Sequence, residues 1–352
     1  MVRRNRNAVI DIAPEQESRS PMNDARSLPS VLVTGASGFI GGRIVARLRE
    51  LGFPVAGTTR RDTVDSRLVR VDLADRSVSL AERFPDADVV VHCAARSSPW
   101  GTRREFERDN VEATDRVIDW VLQRPQRRLV FLSSSSVHYA AGHQHGLTET
   151  TPLPRHPVNR YAETKRQAER LITTRVADAI ILRPRAVFGP GDTVLLPRIL
   201  DAARAGRLPW LRADRPAVGD LIYIDNLVDI VERCCVDRTI RGTFNVTNDE
   251  PIEIEAFLAE VFRRLDIPLP RRRVSVRTAM LAATLLEVGY RLFRPSHEPP
   301  ITRFGVHVFA WGKTFDVARA REVFGPPQIS LEEGLVRTVD WFRRSSTTRG
   351  ST

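Results

Sequence analysis

Apolar residues in the first half of the chain arrive in short bursts rich in β-branched side chains: "SVLV" from residue 30, then "FPVAGTT", "RLVRVDL", "ADVVVHCAA", "RLVFLSSSS" and "DAIILRP". Each is too short for a helix and is apolar on successive positions, the mark of a strand covered on both faces. Between bursts the period changes. After the first, Ile40, Ile44, Leu48 and Leu51 recur three to four apart, as on one face of a helix. "REFERDNVEATDRVIDWVLQ" and "VNRYAETKRQAERLITTR" also read as helices. Strands alternating with helices predict an α/β chain, a doubly wound parallel sheet of Rossmann type, with ligands at the carboxyl ends of its strands. Residues 1–28 show no period and read as a disordered tail. The dinucleotide-binding domain is expected over 29–189. Beyond Gly189 the alternation loosens, so 190–343 read as a smaller substrate lobe, partly interleaved with the sheet, and 344–352 as a flexible end.

Composition changes this picture little. The chain has 352 residues, 42% hydrophobic and 28% charged, ordinary values for a globular protein. Its net charge of +11 is scattered as arginine pairs without a binding stripe, so no nucleic-acid partner is expected. Arg271–Arg273 form a local basic run, either a solvated turn or a patch for an anion or membrane surface. The apolar stretch "TAMLAATLLEVGYRLF" is too short to span a bilayer and contains Glu287. It reads as a core helix, a lid over a substrate or an interfacial helix, which limits membrane contact to the periphery. Cys93, Cys234 and Cys235 form no disulfide framework, and a reduced, cytoplasmic protein is expected.

The candidate chemistry begins at "TGASGFIG". Gly35, Gly38 and Gly41 stand between a strand and a helix, where glycines let backbone N–H groups approach a pyrophosphate at the helix N-terminus. The second strand ends in Arg60 and Arg61 with no acid before Asp62. Guanidinium forks suit a ribose 2′-phosphate, so NADP(H) is preferred and NAD(H) remains open. The chain has 54 basic residues, of which only Lys165 and Lys313 are lysines. Tyr161 lies four residues before Lys165, on the same face of a helix. An ammonium at about 4 Å and an effective dielectric near 20 favours phenolate by on the order of 4 kcal/mol. That is roughly two to three pKa units, enough to bring a phenol towards proton exchange with a carbonyl or alcohol oxygen.

From residue 31 to 343 these motifs resemble the extended short-chain dehydrogenase/reductases, in the epimerase/dehydratase superfamily. "TGASGFIG" is similar to the family's cofactor turn, "VDLAD" to its adenine-side pair at Asp72 and Leu73, and "HCAA" to its fourth-strand alanines, Ala94 and Ala95. "NVEAT" resembles its asparagine helix (Asn110), "FLSSSSVHY" its serine strand and "YAETK" its Tyr-x-x-x-Lys pair. The resemblance implies cofactor contacts at Gly35, Ser37, Gly38, Phe39, Ile40 and Gly41, at Asp72, Leu73, Ala94, Ala95 and Pro184, and at Tyr161 and Lys165; Arg60 joins them from the charge argument. It implies catalysis by Ser134 (Ser133 being second choice), Tyr161 and Lys165, with no metal.

Substrate signatures point the same way. Ala186 stands where nucleotide-sugar epimerases carry asparagine, and Gly219 where they carry arginine. "RPRAVFGPGDTVLLPRILDAARAGRLP", "EPPITRF" and "SLEEGLVRTVDWF" resemble the 3β-hydroxysteroid and sterol dehydrogenases and the 2-alkyl-3-oxoalkanoate reductases. A small apolar carbonyl or alcohol substrate, interconverted between 3-oxo and 3-hydroxy forms, is therefore expected. A nucleotide-sugar enzyme and a non-catalytic dinucleotide sensor are the alternatives. Arg185 either pairs with a substrate carboxylate or stays on the surface, and a homodimer would follow family habit.

Overall fold

Seven parallel strands run through the centre of the protein, seen here in a computed structural model that describes residues 28–98, 100–294 and 296–349. The expected disordered tail lies outside the described residues apart from Leu28. The strands are β1 (Val31–Thr34), β2 (Val55–Thr59), β3 (Leu68–Arg70), β4 (Val89–His92), β5 (Arg128–Leu132), β6 (Ile180–Pro184) and β7 (Gly242–Val246). Across the sheet they stand in the order β7, β6, β5, β4, β1, β2, β3, with every neighbour parallel. All seven carboxyl ends therefore open on one edge, which is where the site forms.

The apolar bursts are explained by double coverage. Val31, Val33, Val89, Val91, Val130, Leu132, Ile180 and Leu182 enter one buried cluster, while Leu32, Val90, Leu129, Phe131 and Ile181 enter the other. Alternate side chains feed opposite faces, and both faces are dry. Four helices matter most to the sheet: α1 (Phe39–Glu50), α2 (Ala113–Leu122), α3 (Arg160–Arg175) and α4 (Ile224–Val236). Asn159 starts α3 by accepting the Ala162 N–H at 2.8 Å, which satisfies an otherwise orphaned donor.

The second lobe carries α5 (Val276–Phe293), α6 (Arg303–Ala310) and three small sheets, one of which takes Gln144–Leu147 from the first half of the chain. β7 and α4 return to the main sheet from beyond Gly189, so the two parts interleave. The last helix, α7 (Leu331–Arg349), runs on past residue 344, where the sequence suggested the ordered chain stops; the buried row Leu331, Leu335 and Val339 anchors it upstream. Among the described residues no helix is long and apolar enough to cross a membrane.

Candidate active site

The glycine turn is built by contact, not by flexibility alone. Gly35 has φ +69°, and a Cβ there would lie 2.9 Å from the Ala94 Cα. A Cβ on Gly41 would meet the Gly35 carbonyl oxygen at 2.4 Å. The first close approach seats the β1 turn against the strand end carrying Ala94 and Ala95, and the second presses α1 onto the turn. Gly38 caps the helix, whose first turn has no acidic side chain, so its N–H groups and dipole remain available to an anion. Ser37 is exposed at the lip and accepts a hydrogen bond from the Thr59 hydroxyl at 2.9 Å; Phe39 and Ile40 are half-buried beside it.

A cavity of about 450 Å³ lies beyond the carboxyl ends of β2 and β3, lined by Arg60, Arg70, Val71, Asp72, Val78 and Arg83. Arg60 does not stand free there: its guanidinium bonds the Asp109 carboxylate at 3.2 Å. Asp109 is buried and also takes bonds from Arg96 and Arg108. Asp72 accepts the Ala74 N–H at 3.1 Å and pairs with Arg108, while Leu73 is buried behind it. Three arginines and one carboxylate thus line this cavity.

Tyr161 lies in the first turn of α3 and is half-buried; Lys165 lies one turn on and is only 2% exposed. Among the four serines, Ser134 alone is not fully buried, and its hydroxyl acts on the Tyr161 phenol, favouring its ionised form. Ser133, the second choice, donates to Glu169 at 2.5 Å and so serves the interior. Asn110 ties the neighbourhood together from a π-helical stretch, Glu107–Glu112. Its side chain accepts the Arg96 N–H at 2.6 Å and donates to the Thr164 hydroxyl at 2.9 Å, fixing α3 beside Lys165. Pro184 ends β6, buried, on the same edge of the sheet.

The electrostatics differ from the sequence argument in one respect. Burial pushes the Tyr161 phenol up to about 12, with the Ser134 hydrogen bond opposing. Burial brings the Lys165 ammonium down to about 8. In this arrangement the ammonium donates to the Leu132 carbonyl at 2.6 Å and lies 4.5 Å from the Phe131 ring centre. It is turned to the β5 backbone, so the expected acidification of the phenol is absent from this side-chain arrangement.

Glu169, Arg183 and Asp220 escaped the sequence reading, and Arg185, for which a surface position was one alternative, is buried. Glu169 continues the row Tyr161, Lys165 by another turn and grips Arg183 through Nε at 2.9 Å and Nη2 at 2.7 Å. Arg183 also contacts the His138 Nε2 at 3.0 Å, and burial lowers His138 to about 4, so the imidazole is neutral. The i, i+8 spacing of Tyr161 and Glu169 was the available signal. On the lobe side Arg185 is buried, 5.1 Å from the Tyr139 ring, with its Nε unpartnered. Asp220 nearby keeps one carboxylate oxygen unpartnered, and burial raises its carboxyl to about 6. Lys313, the other lysine, is 1% exposed and donates to the Gly142 carbonyl.

The fold and the glycine turn define a dinucleotide-type α/β protein, and comparison with known proteins gives the family. Residues 31–246 match the NAD dependent epimerase/dehydratase family, and the chain belongs to it. It is thus placed among enzymes that oxidise CH–OH or reduce C=O groups. It is 29% identical over 334 residues to a 2-alkyl-3-oxoalkanoate reductase from Shewanella oneidensis, covering 89% of this chain and 86% of that one. It is 28% identical to the mouse (Mus musculus) sterol-4-alpha-carboxylate 3-dehydrogenase, decarboxylating, covering 91% and 92% of the two chains. Among solved structures, MoeE5 in complex with UDP-glucose and NAD superposes with a TM-score of 0.71 at 26% identity, covering 90% of this chain and 99% of that one.

Proposed function

We propose that the protein is an NAD(P)-dependent oxidoreductase that interconverts a 3-oxo and a 3-hydroxy group on an apolar substrate, with Ser134, Tyr161 and Lys165 as its catalytic residues. The observation that carries this reading is the placement of Ser134 beside Tyr161, two half-buried residues at the open edge of the sheet, over the buried Lys165. Both hydroxyls would bond the substrate oxygen, and Tyr161 would give or take its proton. Lys165 would leave the Leu132 carbonyl for the cofactor's ribose, bringing its charge closer to the phenol. The cofactor supplies or accepts the hydride; the chain holds and orients both reactants. The close packing at Gly35 and Gly41 fits a pyrophosphate cradle. Arg60, Arg70 and Arg83 around the adjoining cavity support NADP(H) over NAD(H).

Arg185 supports a substrate with a carboxylate near the reacting carbon. It is 5% exposed and has no carboxylate within ion-pair distance among the described residues. With Lys313 and Asp220 as the charged groups beside it, the cluster carries one net positive charge, which a 3-oxo acid would balance. A nucleotide-sugar substrate has less support. A Cβ on Gly219 would stand 3.3 Å from Ile254 and 3.4 Å from the Lys313 carbonyl oxygen, so an arginine has little room there.

The test is oxidation of NADPH and NADH against 3-oxo acids, 3-oxosteroids and UDP-sugars. Turnover is expected with NADPH and a 3-oxo acid or 3-oxosteroid. Tyr161→Phe should abolish it while cofactor affinity is kept. Turnover with UDP-sugars alone would overturn the substrate assignment, a strong NADH preference the cofactor assignment, and full activity in Tyr161→Phe the catalytic one.

A further inference from the structure

Helix α5 presents to solvent a face that a protein surface ordinarily hides. Leu281, Leu285, Val288 and Leu292 follow one another at steps of four, three and four, a single row along the helix. They are between 50% and 71% exposed, and Phe293 at the end of the row is 83% exposed. The opposite face is conventional: Ala279 and Ala283 pack on Val306 and Ala310 of α6. The helix is therefore seated by its small residues, and its large ones point away.

The charges around the row have one sign. Arg277 heads it, and Arg291 and Arg294 flank its far end. Arg271 and Arg272 lie on the approach to the helix, exposed. Arg271, Arg272, Arg277 and Arg294 make no ion pair among the described residues. The single acid of α5, Glu287, is turned inward, 3.0 Å from Arg303. A second copy of the chain on this face would bring two such arginine sets together. A bilayer rich in anionic lipid offers acyl chains to the row and phosphates to the arginines at once.

We propose that α5 docks the protein on an anionic membrane surface, lying in the interface with its leucine row among the acyl chains. The location gives the docking a use. Phe304 of α6 stacks on Tyr139 with ring centres 6.4 Å apart, so the α5–α6 pair stands on the substrate side of the site. If the oxidoreductase reading holds, an apolar substrate reaches the site from the lipid instead of through water.

The test is flotation of the full chain with vesicles of phosphatidylcholine alone and of phosphatidylcholine mixed with phosphatidylglycerol, at low and high salt. The protein is expected to float with the anionic vesicles, less so as salt rises. Leu281→Ser with Leu285→Ser should lower the bound fraction roughly tenfold or more, from the loss of buried apolar area. Arg277→Gln with Arg294→Gln should weaken the preference for anionic over neutral vesicles roughly tenfold or more. Thermal melts show whether each variant is folded. A parent chain that binds neither vesicle overturns the proposal, as does a leucine pair variant that floats like the parent. A soluble dimer dissociated by the leucine changes would assign the face to a second copy and overturn it too. Turnover of 3-oxo acids and 3-oxosteroids, measured alongside, separates the two claims: turnover without flotation sinks the docking alone, and flotation without turnover of either class sinks the oxidoreductase reading alone.

Discussion

Replacing Glu169 and Arg183 by methionine, singly and together, tests whether the buried cluster under the serine strand acts as one unit. The two side chains are 7% and 8% exposed, so neither charge has water to fall back on. Among the described residues, Arg183 without Glu169 keeps the His138 Nε2 at 3.0 Å and the Glu149 carbonyl at 3.4 Å as its side-chain partners. Without Arg183, the carboxylate keeps the Ser133 hydroxyl at 2.5 Å as its one hydrogen-bond donor among the described residues. Leaving one buried charge unmatched costs about 3–5 kcal/mol, whereas exchanging both partners for apolar groups of similar volume is often nearly neutral. Each single variant should therefore lose about 3–5 kcal/mol, and the double variant should be far less unstable than the sum. Equilibrium urea unfolding of the four proteins gives the coupling energy directly. Because Ser133 precedes Ser134, Glu169→Met should also lower kcat more than it changes KM. Singles that cost under about 1 kcal/mol, or a double equal to their sum, would show that the cluster is not coupled.

Lys165 has a folded pKa near 8 against an ordinary 10.5, so the unfolded chain binds more protons between those values. The burial penalty is fully present below pH 8, and stability gains from this group as pH rises through the window; Lys165→Met should flatten that part of the urea midpoint profile, and an unchanged profile would refute the assignment. Arg185→Met should raise KM for a 3-oxo acid roughly ten- to a hundredfold, the worth of a charged hydrogen bond, and leave a neutral 3-oxo ketone unaffected. Asp220→Asn removes the competing carboxylate and should lower KM for the same acid; equal effects on acid and ketone would count against a carboxylate contact. Ala186 has φ +40°, a left-handed conformation that side chains with a Cβ resist. Ala186→Gly should raise unfolding stability by about 1 kcal/mol in urea titration, and a loss would show that the alanine methyl contributes more than its backbone costs.

What could be read along the chain was whatever depends on near neighbours. The sheet strands, the glycine turn and the row Tyr161, Lys165 follow from periods of two and of about four residues, and α3 begins where its Asn159 cap stands. What depends on distant partners was closed to such reading. The resemblance put Ser134 ahead of Ser133, but the contact that sets the two apart, Glu169 claiming the Ser133 hydroxyl from 36 residues away, leaves no trace in the local pattern. Lys165 was placed correctly on its helix, but the Leu132 carbonyl that holds its ammonium is a backbone atom no side-chain pattern announces. β7 joins the edge of the sheet after a long excursion through the second lobe, so no local period marks it as a return. Arg185 was left open for the same reason, since its burial depends on elements contributed from far along the chain.

The scarcity of lysine has a practical consequence. Both lysine amines are shut inside, 2% and 1% exposed, and the rest of the chain's 54 Lys and Arg residues are arginines. Reagents that acylate primary amines therefore find no lysine side chain on the native surface. Labelling at Lys165 would report on the opening of its pocket, and shielding by a bound dinucleotide would be read as lost labelling in a mass spectrum, without any need to know the substrate.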